Sequence, residues 1–154
     1  MPIKVLFVCH GNICRSPMAE YIMKYLVKQA GMEDVFGITS GGVSNEEEGN
    51  DIYPPAKRTL TQHRIPFSRH RAHLVNEDEM KAADYIVVMD SWNIRNLGYR
   101  YGNKYNSKIK MLLSFCGEDE DVSDPWWTRD FETAYDDIYR GCEAMLIALS
   151  YNVK

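Results

Sequence analysis

The chain has 154 residues, 45% of them hydrophobic and 26% charged, with a formal net charge of −4 at pH 7. This length suits one domain built on one core, residues 1–154, and the composition is that of a folded globular protein rather than a disordered one. The acidic balance argues against a nucleic-acid partner; no segment approaches the ~20 apolar residues that span a bilayer, and Val5–Val8 is too short for a signal-peptide core. A cytoplasmic monomer without membrane contact is expected. The four cysteines, Cys9, Cys14, Cys116 and Cys142, are too sparse for a disulfide scaffold. Cys9, His10 and Cys14 lack the second close pair that a four-ligand zinc site requires, so free thiols are expected and no metal.

Ile3–Val8 is short, continuous and apolar, the pattern of a strand buried on both faces. From Pro17 to about Ala30, Met18, Tyr21, Ile22, Tyr25 and Leu26 recur at helical spacing, with Glu20, Lys24 and Lys28 assigned to the opposite, solvent face. Gly31 ends that helix, and Val35–Ser40 is a second strand. Gly41–Asp51 is polar and reads as a loop. Pro54-Pro55 opens a short helix to about His63, and Asn76 with Glu79 forms a capping box for a helix ending near Ala83. Tyr85–Met89 is the third strand. Ser91 is placed as the cap of a helix toward Tyr101, and Ile109–Leu113 is the fourth strand. An acidic loop, Cys116–Asp124, precedes a final helix from about Asp130. The order β-α-β-α-α-β-α-β-α predicts an α/β three-layer sandwich: a central four-stranded parallel sheet with helices on both faces. Ligands of such sheets bind beyond the carboxyl ends of the strands, where both Cys9 and the acidic loop emerge.

The segment Val8-Cys9-His10-Gly11-Asn12-Ile13-Cys14-Arg15-Ser16-Pro17 carries the chemistry. A loop between a strand and a helix turns several N–H groups into one concavity, with the positive end of the helix behind it. Such a site holds an anion and favours a thiolate over a thiol, so Cys9 is the candidate nucleophile and Arg15 a bidentate ligand for phosphate oxygens. Gly11 is expected to permit tight backbone geometry and Asn12 a left-handed conformation. The Ser16 hydroxyl can stabilise the sulfur as it departs. A Cys-x5-Arg spacing alone is a weak signal. Ser16, the preceding strand and the following helix make it specific.

This segment resembles the signature loop of the low-molecular-weight protein tyrosine phosphatases, and Asp124-Pro125-Trp126-Trp127 resembles their downstream Asp-Pro-aromatic-aromatic motif. Length and element order match as well, so the resemblance covers nearly the whole chain. It implies that Cys9 forms a cysteinyl-phosphate, that Arg15 and the amides of His10, Gly11, Asn12, Ile13, Cys14 and Ser16 hold the phosphoryl oxygens, and that Asp124 serves as general acid and then base. It further implies a supporting network of Asn12, Ser16, Ser40 and His70, a wall of Trp126 and Trp127 beside the substrate ring, and Cys14 as a possible redox partner of Cys9. The implied substrate is a phosphotyrosine-containing protein or peptide, with no cofactor. Three departures bear on specificity: Trp126-Trp127 replaces a tyrosine-rich pair, Glu46-Glu47-Glu48 stands where an aromatic is common, and His10 replaces a small or apolar residue.

Blander readings stand beside these. Glu118, Asp119, Glu120 and Asp121 form a solvated acidic face, whereas only Asp124 precedes a Pro-aromatic pair able to fix it over a pocket. His70 reads as a structural histidine rather than a proton shuttle. Cys14 is equally a packing residue or a redox partner, and Glu46–Glu48 is a solvated loop or a device against acidic phosphopeptides. Two other functions remain: an arsenate reductase of the same fold, which needs resolving cysteines, and a non-catalytic phosphate- or phosphotyrosine-binding module.

Overall fold

Strand β1 (Ile3–Cys9) sets the architecture, because successive side chains of a strand face opposite ways. Val5, Phe7 and Cys9 enter one core cluster and Leu6 and Val8 another, so the strand must be covered on both sides. The computed structural model describes residues 1–151. After β1 come α1 (Arg15–Gln29), β2 (Phe36–Gly42), α2 (Pro54–Gln62), α3 (Glu77–Ala82), β3 (Tyr85–Val88), α4 (Ser91–Tyr101), β4 (Ile109–Met111), α5 (Pro125–Thr128) and α6 (Phe131–Ser150). The strands form one parallel sheet in the order β2-β1-β3-β4. Helices α1, α2 and α6 pack on the Val5–Phe7 face, through Met18, Ile22, Leu60, Ile138 and Met145. Helices α3 and α4 cover the Leu6–Val8 face through Met80 and Leu97. This is the three-layer α/β sandwich expected from the element order. Each fully buried large aliphatic or aromatic side chain in these layers contributes about 1.5–3 kcal/mol relative to exposure.

Several boundaries and one placement differ from expectation. Strand β1 reaches Cys9, which pairs with Gly42 at the end of β2 and so fixes the backbone of the candidate nucleophile in the sheet. Helix α1 begins at Arg15 rather than Pro17. A proline fits the first turn because N–H groups there have no intrahelical partner to lose. Strand β4 stops at Met111, and Leu112–Cys116 tightens into a 3-10 turn that Gly117 closes at φ 75°. The cap of α4 is Asp90, not Ser91: Asp90 Oδ1 accepts from Asn93 N at 2.9 Å, and Ser91 is already helical. Glu20, expected on the solvent face of α1, is buried, because Lys24 at 2.6 Å and the Ser40 hydroxyl at 2.6 Å satisfy its carboxylate there. The four-residue helix α5, which carries Trp126 and Trp127, is too short for periodicity to reveal.

Candidate active site

The loop from His10 to Cys14 runs from the carboxyl end of β1 into the N-terminus of α1. Its left-handed residue is Asn12 (φ 60°), as expected, while Gly11 has no positive φ. The glycine that the loop depends on lies elsewhere. A Cβ on Gly42 would stand 2.8 Å from the His10 carbonyl oxygen and 3.2 Å from the Gly11 carbonyl carbon, so β2 can approach the loop only without a side chain there. The loop's carbonyls are tied to the scaffold. The Cys9 carbonyl accepts from Val43 N at 3.0 Å, that of His10 from Val43 N at 3.0 Å and Ser44 N at 3.1 Å, and that of Ile13 from Tyr53 N at 2.9 Å. His70 Nε2 donates to the Asn12 carbonyl at 2.8 Å, so this ring is a structural donor. No peptide bond among the described residues is cis. In a trans peptide the next residue's N–H points opposite to the carbonyl, so the amides of His10, Gly11, Ile13 and Cys14 turn to the other side of the loop.

A chain of hydrogen bonds runs from the sulfur into the interior. Cys9 Sγ lies 3.0 Å from Ser16 Oγ, and Asn12 Nδ2 donates to Ser16 Oγ at 2.8 Å and to Ser40 Oγ at 3.0 Å. Ser40 donates onward to Glu20 Oε1 at 2.6 Å, and Asn12 Oδ1 accepts from His73 N at 3.2 Å. The directions follow from the ends. Glu20 can only accept when ionised, so the Ser40 proton points to it and the Ser40 oxygen receives Asn12. The Ser16 oxygen likewise receives Asn12, leaving its own hydrogen for the sulfur or, at 3.4 Å, for the Gly41 carbonyl. Asn12, Ser16, Ser40 and His70 are thus brought together around the loop.

Arg15 is only 2% exposed. Its Nη1 donates to Asp90 Oδ2 at 2.7 Å and to the Val122 carbonyl at 2.8 Å, and its Nη2 lies 3.4 Å from Asp124 Oδ2. Burial works against the guanidinium charge, but the Cys9 sulfur, Asp124 and Asp90 outweigh it and hold Arg15 above its ordinary range. Asp124 is itself fixed as the cap of α5, its Oδ1 accepting from Trp126 N at 3.0 Å. The cation, the sulfur and the carboxylate therefore meet at one edge of the sheet.

They line a cleft of about 560 Å³, together with His10, Gly11, Ile13, Cys14, Glu46, Glu47, Asp90, Trp92, Asn93, Asn96, Trp126 and Trp127. Trp126 packs on Tyr53 with centroids 4.9 Å apart, which orients the wall. His10 Nε2 is 3.9 Å from Glu46, a loose pairing between exposed groups. Of the four free cysteines, only Cys9 and Cys14 line the cleft. Burial pushes the Cys14 thiol up, with the neighbouring Cys9 and Asp124 adding to the effect, so Cys14 is held protonated. Cys142 is fully buried against α1, and Cys116 lies half-buried beside the Arg140 carbonyl. Sequence reasoning missed Asp90, Glu20, Gly42 and Trp92. Only Asp90 left a local trace, as an aspartate three residues before Asn93 at a helix start.

Comparison with known proteins gives the family. The family model described as low molecular weight phosphotyrosine protein phosphatase matches residues 4–154. The chain is similar to the low molecular weight protein-tyrosine-phosphatase YfkJ of Bacillus subtilis, at 38% identity over 149 residues and 96% of each chain. It is 34% identical over 144 residues to PtpA of Staphylococcus aureus, covering 94% of this chain and 92% of that one. The crystal structure of YfkJ superposes with a TM-score of 0.95 over 100% of this chain and 98% of the other. That of the low molecular weight protein tyrosine phosphatase from Streptococcus pyogenes gives 0.87 at 37% identity, over 97% and 93%. With the cysteine loop, the buried arginine and the aspartate in one cleft, the chain belongs to the low-molecular-weight protein-tyrosine-phosphatase family.

Proposed function

We propose that the protein hydrolyses phosphotyrosine in polypeptides, and small aryl phosphates, through a cysteinyl-phosphate. The observation that carries this reading is the convergence of Cys9, Arg15 and Asp124 on one cleft, with the sulfur 3.0 Å from a serine hydroxyl. In the first step the Cys9 thiolate attacks phosphorus in line. The S–P bond forms as the P–O bond to the phenol breaks, and Asp124 donates its proton to the departing oxygen. The Arg15 fork and the loop amides bind the equatorial oxygens, most strongly where charge gathers in the transition state. In the second step Asp124, now a carboxylate, takes a proton from water. The water oxygen attacks phosphorus, the S–P bond breaks, and inorganic phosphate leaves with the thiolate restored. Ser16, whose hydrogen is free for the sulfur, stabilises that leaving group.

Asp90 positions Arg15, and the Glu20-to-Ser16 chain orients the hydroxyl at the sulfur. The arsenate reductase reading is weakened because neither Cys116 nor Cys142 lines the cleft, leaving Cys14 without a partner that relays a disulfide outward. A binding module would have no use for an aspartate held over the anion site. A cytoplasmic location is supported by four unbridged cysteines, and no helix among the described residues is long and apolar enough to cross a membrane. Hydrolysis of an aryl phosphate by wild type, Cys9→Ser and Asp124→Asn tests the mechanism. Near-abolition is expected for the first, and for the second a loss that grows as the leaving group worsens. Wild-type turnover in Cys9→Ser would overturn it.

A further inference from the structure

All three tryptophans of the chain line the same cleft, although they come from two separate elements. Trp126 and Trp127 belong to α5, whereas Trp92 stands in the first turn of α4, two residues after the aspartate that holds Arg15. None is a core residue: Trp92 is 63% exposed, Trp126 37% and Trp127 80%. Large aromatic surface gathered at one concavity and left in water marks a contact site, and tryptophan is the residue most enriched where binding energy concentrates. The cleft, about 560 Å³, falls within the ~300–1,000 Å³ range of sites that take ligands larger than a single phenyl phosphate.

We propose that Trp92 forms a second subsite of this cleft, one that takes the side chain next to phosphotyrosine in a polypeptide substrate and selects for an apolar or aromatic residue there. The inference rests on the phosphatase reading and adds to it a specificity-determining residue. The chemistry of the occupant follows from what already touches the indole. The Arg95 guanidinium stands over Trp92, 4.6 Å from the ring centre, so one cation is in place and a second would meet its repulsion. Arg129 stands 5.6 Å from the Trp126 ring in the same way. An acidic side chain is disfavoured in the cleft as a whole, whose lining carries Glu46, Glu47, Asp90 and Asp124. An apolar or aromatic side chain instead gains stacking and burial on indole surface that is otherwise wet. Asn96, also on the cleft lining, donates its Nδ2 to the Trp92 backbone carbonyl at 2.9 Å.

The test compares kcat/KM for 4-nitrophenyl phosphate with that for phosphotyrosine pentapeptides whose flanking residues are leucine or phenylalanine, glycine, or arginine. Wild type is expected to prefer the leucine and phenylalanine peptides. Trp92→Ala should lower the ratio of peptide to aryl phosphate kcat/KM roughly tenfold for those two, through KM, and much less for the glycine peptide. Trp92→Phe should recover most of the ratio. A thermal melt of each variant checks that α4 remains folded. Equal losses on every substrate, no preference in wild type, or a loss confined to arginine-flanked peptides would each overturn the subsite. Absence of wild-type turnover on all substrates would instead refute the phosphatase reading beneath it.

Discussion

Asp90 performs two tasks with its two oxygens, and substitution can separate them. Oδ1 caps α4 through Asn93 N at 2.9 Å, and Oδ2 receives Arg15 Nη1 at 2.7 Å. Asparagine caps a helix about as well as aspartate, so Asp90→Asn keeps the cap with its single oxygen, removes the charge and turns an amide NH2, a donor, toward Arg15 Nη1. A hydrogen bond to a charged group contributes about 1.5–3 kcal/mol, so the arginine loses about that much of its placement. If that loss falls on the transition state, kcat/KM drops roughly ten- to hundredfold. The freed guanidinium also draws on Asp124, 3.4 Å from Nη2, and holds the general acid away from the leaving group. The deficit in Asp90→Asn should therefore widen across a series of aryl phosphates as the leaving group becomes more basic. Asp90→Ala loses the cap as well, about 1 kcal/mol, and breaks a buried pair, which costs about 3–5 kcal/mol when no other partner remains. The Val122 carbonyl at 2.8 Å and Asp124 cushion that, leaving about 2–4 kcal/mol. At roughly 2–4 °C per kcal/mol this amounts to a fall in Tm of about 5–15 °C. Wild-type kinetics in Asp90→Asn across the whole series, or equal melting of the two variants, would refute this assignment.

Gly42→Ala places a Cβ 2.8 Å from the His10 carbonyl oxygen, a backbone atom that cannot swing aside, so a loss of about 1–3 kcal/mol in a thermal melt and reduced kcat/KM are expected together. Glu20→Gln leaves an amide that can donate to Ser40 and reverse the chain ending at the sulfur. The expected result is several-fold lower kcat and slower inactivation of Cys9 by iodoacetate at neutral pH. His73 is held above its ordinary value by its hydrogen bond to Glu79 at 2.8 Å. That pairing stabilises fully below the unfolded value of about 6.5 and fades as pH rises through the elevated native one. Glu79→Gln retains the capping box with Asn76, so a flatter dependence of Tm on pH above about 6.5, with α3 intact, is the expected outcome.

The parts of this molecule legible in the sequence are those whose cause is local. Val5 to Val8 form an unbroken apolar run, α3 announces itself by Asn76 and Glu79, and the cysteine loop lies within one short segment. Element order then gave the sheet. The rest depends on contacts between distant segments. Nothing near Arg15 signals that Asp90 and the Val122 carbonyl hold it, and nothing near Gly42 signals that the loop leans on it. The pattern of α1 puts Glu20 in solvent, because a charged residue opposite an apolar stripe is ordinarily exposed. Its burial needs Ser40 from β2, which helical periodicity does not register. Nothing in the sequence sets Trp92 apart within its helix, since the convergence of α4 and α5 on one cleft is a property of topology. Boundaries moved wherever a terminus tolerates two descriptions, as at Pro17 and Leu112.

The central claim is covalent, and Asp124→Asn makes it observable. That variant still accepts a phosphoryl group from an ester with a good leaving group but is slow to activate the water that removes it. Rapid acid quench after mixing with 4-nitrophenyl phosphate, followed by peptide mapping, should find one phosphoryl group per chain on Cys9. Label on another side chain, or a burst of nitrophenol with no label at all, would contradict the account.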